Sequence, residues 1–225
     1  MSRMRNTTAR ECRIGLADWM QTIDVQQIGE EIYALIADLY PICRSITGNG
    51  VRETLNHLAP RLPLQIRAVP SGTQVFDWTI PKEWNIKDAC IKDRHGNRIV
   101  DFQASNLHVV SYSVPVHRHM SLSELRPHLH TLPEHPDWIP FRTSYYKEGW
   151  GFCLSHNQLQ MLRDETYEVL IDASLENGHL TYGECYLEGE LNEEVLLSTH
   201  ICHPSLCNEN LSGTALLAIL GGALA

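Results

Sequence analysis

The densest group of side chains able to bind a metal lies near the C-terminal end of the sequence. Imidazole, thiol and carboxylate groups follow one another there: His200, Cys202, His203, Cys207 and Glu209. Neutral imidazole and carboxylate suit zinc, with bond lengths of about 2.0–2.2 Å. We therefore predict half of a metal site, in which His200 and Glu209 are the candidate ligands.

Other interpretations of these residues stay open. A loop whose polar side chains cap backbone groups would have the same composition. A thiolate-rich site at Cys202, His203 and Cys207 is a further alternative, although the spacings match no structural zinc pattern. His203 is expected to orient a ligand through its ring N–H, or to be a ligand itself.

The elements around this group must hold it in place. The apolar run Val195–Leu197 ends just before His200 and is typical of a buried strand. Residues 211–224 are mostly apolar and predict a helix. A strand, a ligand-rich loop and a helix in this order place a site outside the carboxyl end of a strand in an open α/β sheet.

The chain divides into four segments that differ in composition and in the pattern of apolar residues. Residues 1–23 are a polar, flexible extension, and residues 24–64 contain two helices, the first amphipathic from Ile28 to Leu39. Short alternating strands and turns predict a β-sandwich over residues 65–160, with a hairpin that turns near His95–Asn97 and a capping box from Ser121 to Glu124 that begins a short helix. Residues 161–225 are predicted to begin the α/β core, with strands at Tyr167–Ala173 and His179–Leu187.

Composition narrows the class of protein. The 225 residues carry a formal net charge of −9, so the sequence lacks the basic character of a nucleic-acid-binding protein. No apolar run reaches the roughly 20 residues of a membrane span. Seven cysteines without a CxxC pair, and no apparent signal peptide, predict a cytoplasmic protein with reduced thiols.

The sequence stops inside the apolar pattern of the last helix, at Leu224 and Ala225. A helix this apolar should be covered on most sides, so we expect a truncated chain whose remaining sheet and helices lie further on. The alternative is that a partner, such as a second copy in a homo-oligomer, covers the helix.

Several motifs together resemble a known family. They are Leu196-Leu197-Ser198-Thr199-His200-Ile201-Cys202-His203-Pro204-Ser205-Leu206, Asn208-Glu209-Asn210-Leu211-Ser212-Gly213, Trp78-x-x-Pro81-x-x-Trp84, Tyr145-Tyr146, Trp150-Gly151-Phe152-Cys153 and Tyr182-Gly183-Glu184. They resemble the aminopeptidase-like proteins often encoded among polysaccharide-biosynthesis genes, over about residues 25–225. The resemblance implies a zinc-aminopeptidase-like (phosphorylase/hydrolase-like) α/β domain, here truncated, with an inserted jelly-roll-like β-sandwich.

The same resemblance implies site residues and an activity. His200 matches the first zinc ligand, and Glu209 takes the place of a metal-bridging Asp, so that one or two Zn²⁺ ions are expected. Cys202 stands where zinc aminopeptidases usually have an Asp that orients the first His. The general-base Glu and the remaining ligands would lie after Ala225, so the chain by itself is expected to be inactive.

The implied function is a zinc-dependent hydrolase that acts on the N-terminal peptide bond or a similar amide. The alternative is a binding module that kept the peptidase fold, lost catalysis and works in polysaccharide biosynthesis. Glu209 and Cys202, which depart from the zinc aminopeptidase pattern, and the predicted β-sandwich favour this alternative.

Overall fold

The computed structural model describes residues 18, 21–189 and 191–225, which form a mixed α/β structure. The helices are α1 (Val25–Leu39), α2 (Asn49–Leu58), α3 (Leu122–Leu125), α4 (His156–Met161) and α5 (Ser212–Leu224). The strands are β1 (Gln65–Pro70), β2 (Gln74–Val75), β3 (Trp78–Thr79), β4 (Glu83–Lys92), β5 (Arg98–Asp101), β6 (Val116–Ser121), β7 (Leu129–His130), β8 (Phe152–Cys153), β9 (Thr166–Glu176) and β10 (His179–Glu184). The predicted extension at residues 1–23 lies largely outside the described residues.

The predicted amphipathic helix is confirmed as α1. Its N-terminus is capped by Asp24, whose carboxylate accepts hydrogen bonds from the backbone N–H groups of Gln26 and Gln27 at 3.0 and 3.1 Å. Leu35 and Leu39 are buried on one face. They pack in one apolar cluster with Ile42, with Leu58 of α2, with Leu211 just before α5, and with Ala215 and Ala218 of α5. Segments about 170 residues apart in sequence therefore share a core.

The largest sheet is antiparallel, with the strand order β5-β4-β9-β6. The predicted hairpin forms between β4 and β5, where Gly96 has φ +83°, a conformation that glycine adopts without strain. The predicted capping box of α3 is also present, with Ser121 and Glu124 bonding to each other's backbone N–H. Residues such as Trp84, Val169 and Ile171 fill the core of this sheet.

Strands β1 and β10 run side by side as an antiparallel pair, with Gln65 opposite Glu184. The chain therefore enters and leaves the region of antiparallel strands at neighbouring positions. From the sequence we predict that the α/β core starts at residue 161. In the structure, β9, which lies after that residue, is a central strand of the antiparallel sheet. The sandwich and its limits stay predictions, because the described strands form one four-stranded sheet and three two-stranded pairs.

The prediction of a buried strand at Val195–Leu197 is wrong for the described structure. Val195 and Leu196 are 86% and 88% exposed, and no described strand pairs with them. An apolar run identifies a segment that can be buried, but a strand also needs a neighbour that accepts and donates its ladder hydrogen bonds.

A short segment between α1 and α2 joins the helices to the sheet through buried hydroxyl groups. The Oγ1 atom of Thr47 lies 2.6 Å from the hydroxyl of Tyr112 and accepts a hydrogen bond from the backbone N–H of Trp84 at 3.0 Å. The hydroxyls of Ser45 and Ser111 are 2.7 Å apart. Because these groups are buried, their mutual hydrogen bonds fix how the segment lies against the sheet.

None of the helices within the described ranges has the length and apolar character needed to cross a membrane. The described cysteines are all free thiols, so no disulfide contributes to holding these elements together.

Glu83 joins three elements through one carboxylate. Arg52 of α2 donates to both its oxygens at 2.5 and 3.2 Å, and Asn85 and the backbone N–H of His179 donate at 3.0 Å each. The Arg52 hydrogen bond, followed by those of Asn85 and His179, lowers the pKa of Glu83 from 4.5 to about 2. Its side chain is only 12% exposed, so solvent screens these bonds weakly.

We expect Glu83→Gln to lower the free energy of unfolding at pH 7 by about 1–3 kcal/mol. A carboxyl with a lowered folded-state pKa stabilises the fold above its unfolded value, and this contribution is lost as the pH falls from about 4.5 towards about 2. Denaturant titrations at pH 7, 4 and 3 should therefore show that the difference in unfolding free energy between the variant and the wild type shrinks as the pH falls.

Glu184→Gln is the matched control, since its ion pair with Arg67 is half exposed. An equal loss for Glu83→Gln at all three pH values would contradict this account.

Candidate metal centre

The structure brings the predicted ligands together. The Nε2 atom of His200 and the Oε1 atom of Glu209 are 2.7 Å apart, within hydrogen-bond distance. The Nε2 atom of His203 lies 3.6 Å from the same carboxylate oxygen. The side chains of His200 and Glu209 are 52% and 48% exposed, whereas that of His203 is 21% exposed. Two imidazoles thus converge on one carboxylate at an accessible position.

The local backbone explains how Glu209 reaches back to His200. Residues 207–211 form a π-helical turn, closed by a hydrogen bond from the backbone N–H of Ser212 to the carbonyl of Cys207. Such wide turns are rare and often occur at functional sites. The turn leads directly into α5. Gly213 allows this helix to approach the segment before His200, since a Cβ at Gly213 would lie 2.8 Å from the Oγ1 of Thr199.

The backbone of His200 is held from the same turn. Asn210 is buried and its side-chain amide donates to the carbonyl oxygen of His200. The hydroxyl of Thr214 donates to that oxygen at 3.4 Å and to the carbonyl of Asn210 at 3.1 Å. Thr214 is not among the residues predicted from the sequence. It is a small polar residue inside an apolar helix, and only that context marked it as unusual.

His203 sits between two parts of the molecule. Its ring centroid is 4.8 Å from that of Phe141, which belongs to the connector between β7 and β8, and 5.4 Å from that of His200. Burial is the main cause that lowers the pKa of His203, so the neutral imidazole is favoured. Among the described residues, its buried Nδ1 atom has no hydrogen-bond partner. A neutral ring with an unsatisfied nitrogen is suited to metal binding.

The sequence reasoning missed Arg44, a residue with no exposed surface. Its Nη1 atom donates to the carbonyl of Leu39 at the end of α1 at 2.6 Å, and its Nε atom donates to the carbonyl of His203 at 3.1 Å. Burial lowers the pKa of Arg44 to about 10, so the guanidinium remains charged at neutral pH. The signal in the sequence was an arginine within a mostly apolar segment, which is too common to assign a role.

The donors fit zinc by their chemistry. Two imidazoles and a carboxylate are ligands that zinc takes in catalytic sites. Cys202 lies in the same loop, and burial, followed by the nearby charge of Glu209, raises the pKa of its thiol to about 11. This fit agrees with the residues chosen from the sequence, His200 and Glu209. Their role as ligands remains a prediction.

Known proteins resemble this chain over most of its length. The model of a family described as "Domain of unknown function (DUF4910)" matches residues 33–225. A Clostridium acetobutylicum protein named "Putative polysaccharide biosynthesis protein with aminopeptidase-like domain" is 59% identical over 198 residues, which are 88% of this chain and 46% of that protein. A solved structure, of a "putative peptidase" from the same organism, matches with a TM-score of 0.86 and 59% identity, covering 88% of this chain and 47% of its own. The chain therefore spans about half the length of each relative, and the predicted resemblance is confirmed.

We expect Arg44→Met to loosen the loop that contains His200 and His203. A hydrogen bond from a charged group contributes about 1.5–3 kcal/mol, so backbone amides of residues 200–206 should exchange with solvent at least tenfold faster. Hydrogen exchange measured by mass spectrometry would test this. Arg61→Met is the control, because Arg61 also donates to a backbone carbonyl, that of His57, but at an exposed position. Unchanged exchange in the loop of Arg44→Met would show that Arg44 does not hold it.

Proposed function

Because the chain belongs to the DUF4910 family, we propose that it is the metal-binding half of an aminopeptidase-like zinc hydrolase. The proposed reaction is hydrolysis of an N-terminal peptide bond or a similar amide. The names of the two relatives, one an aminopeptidase-like protein of polysaccharide biosynthesis and one a peptidase, support this class. We further infer that the protein works alongside polysaccharide biosynthesis.

One observation carries the proposal: Nε2 of His200 lies 2.7 Å from a carboxylate oxygen of Glu209 where both side chains are half exposed. An ion pair at such a position contributes little to folding, about 0–1 kcal/mol. The stability of the fold is therefore a weak reason for His200 and Glu209 to lie this close together. A metal site at the end of an apolar segment, beside the start of a helix, gives a stronger one.

The architecture supports the same class. The adjacent ends of β1 and β10 are what an inserted unit requires, since the chain must leave and re-enter the parent domain at nearby points. The shared core of α1, α2 and α5 is then the parent domain on both sides of the insertion. We infer that the insertion covers residues 65–184 and that the parent domain is zinc-aminopeptidase-like.

In the proposed reaction each residue has a separate task. His200 and Glu209 would hold zinc, and His203 would either bind it or orient the other ligands. Zinc bound in such a site polarises a carbonyl and lowers the pKa of its bound water to about 7. Asn210 and Thr214 keep the backbone of His200 in place through its carbonyl oxygen. The longer side chain of Glu209, in place of Asp, favours binding to a single ion over bridging two.

Zinc content of the full-length protein is the first test. We expect one zinc ion per chain, lost in the double variant His200→Ala, Glu209→Ala, together with hydrolysis of aminoacyl anilides. The control is His117→Ala, Glu168→Ala, which removes a histidine–glutamate pair at 3.2 Å on the main sheet and should leave the zinc content unchanged. Elemental analysis measures both.

Zinc that stays bound in the His200, Glu209 variant would refute the assignment of these ligands. A full-length protein with no zinc and no hydrolysis would refute the proposed function. It would then have the peptidase fold without peptidase chemistry, and binding to glycans would be the next property to measure.

A further inference from the structure

A third kind of donor lies beside the two histidines. One ligand atom each of His200, Cys202 and His203 lie within 4.8 Å of one another. All three come from four consecutive positions, so the loop itself brings them together. Glu209 contacts this group through its oxygen, at 2.7 Å from His200 and 3.6 Å from His203.

These separations are close to those of a tetrahedral site. Bond lengths of about 2.0–2.1 Å to nitrogen and 2.3 Å to sulfur place the ligand atoms of tetrahedral zinc about 3.3–3.6 Å apart. The sulfur and the two imidazole nitrogens, within 4.8 Å of one another, must therefore contract by at most about 1.5 Å, and the His200–Glu209 pair must open from 2.7 Å by about 0.6 Å, which side-chain rotations can supply. The hydrogen bond between His200 and Glu209 would be replaced by two bonds to the cation.

The polar atoms of the group also need a partner. Among the described residues, the Nδ1 atom of His203 is buried and has none. Cys202 is half buried, while the neighbouring Cys207 packs against the apolar cluster of α1 and α5. Of these two partly buried thiols, Cys202 belongs to the group of donors and Cys207 contacts the apolar cluster.

We propose that Cys202 is a metal ligand, which with His200 and Glu209 would occupy three positions of a single Zn²⁺ ion and leave the fourth to water, while His203 orients these ligands. This inference rests on the proposed function, because it places the metal at the same loop. It adds a sulfur ligand to the nitrogen and oxygen ligands of that site. A thiolate makes the site softer and more negative than one built from histidine and carboxylates alone. Binding releases the thiol proton to solvent as the sulfur–metal bond forms.

Cobalt substitution tests the proposal through a property that only a ligand controls. Co²⁺ added to the metal-depleted full-length protein should give visible d–d bands together with an intense near-ultraviolet thiolate-to-cobalt charge-transfer band. The expected stoichiometry is one ion per chain. Cys202→Ser should lose the charge-transfer band and bind Co²⁺ more weakly, whereas Cys207→Ser, the matched control, should keep the band.

The remaining outcomes separate this inference from the proposed function. Co²⁺ bound with d–d bands but no charge-transfer band would overturn the role of Cys202 and leave the zinc hydrolase intact. A charge-transfer band that persists in Cys202→Ser would also overturn it, since another thiol would then be the ligand. A wild-type protein that binds no Co²⁺ and no Zn²⁺ would overturn both proposals.

Discussion

The relative positions of α1, the β-sheet region and the loop of residues 200–209 depend on the hydrogen bonds of the buried guanidinium of Arg44. A charged group without exposed surface must find hydrogen-bond acceptors, because its desolvation is otherwise too costly. Two of its nitrogens have them: Nη1 donates to the carbonyl of Leu39 at the end of α1 and Nε to the carbonyl of His203, while the buried Nη2 has no partner among the described residues. A cation at the C-terminus of a helix is also favoured by the helix dipole. Its neighbours Ser45 and Thr47 bond to the β-sheet region, so one short segment fixes the helices, the sheet and the loop of residues 200–209 relative to one another.

The polar residues of and just after the loop of residues 200–211 fall into two groups that differ in burial and in hydrogen-bond partners. Asn210 and Thr214 are buried and directed at backbone carbonyls, as residues that hold a conformation should be. His200 and Glu209 are half exposed and bonded mainly to each other. The first pair contributes to order, whereas the second keeps its donor atoms accessible to a ligand. The π-helical turn connects the two, because it presents Glu209 to His200 and Asn210 to the backbone from adjacent positions.

The sequence predicted the features that local chemistry determines. The period of the apolar residues identified α1, turn residues identified the hairpin between β4 and β5, and the order of Ser121 and Glu124 identified the cap of α3. The closeness of His200 and Glu209 was also predicted, since a single loop carries both. The features that the sequence did not predict all depend on contacts between residues that are distant in the chain. Whether Val195–Leu197 is buried depends on a neighbouring strand, the sheet of β9 depends on its pairing with β4 and β6, and Arg44 needs acceptors from two remote segments.

The position of His203 links the antiparallel region to the proposed chemistry. Phe141 contacts its ring from the connector between β7 and β8, while Arg44 holds its carbonyl from the helical side. The imidazole is thus oriented by both regions, although it belongs to neither core. The β-sheet region therefore supplies a contact to this loop in addition to forming its own core. Because a ligand must be held within about 0.5 Å of its working position, contacts from two rigid regions are a better support than a loop alone. This requirement gives a physical reason for the antiparallel region, residues 65–184, to pack beside the loop of residues 200–209.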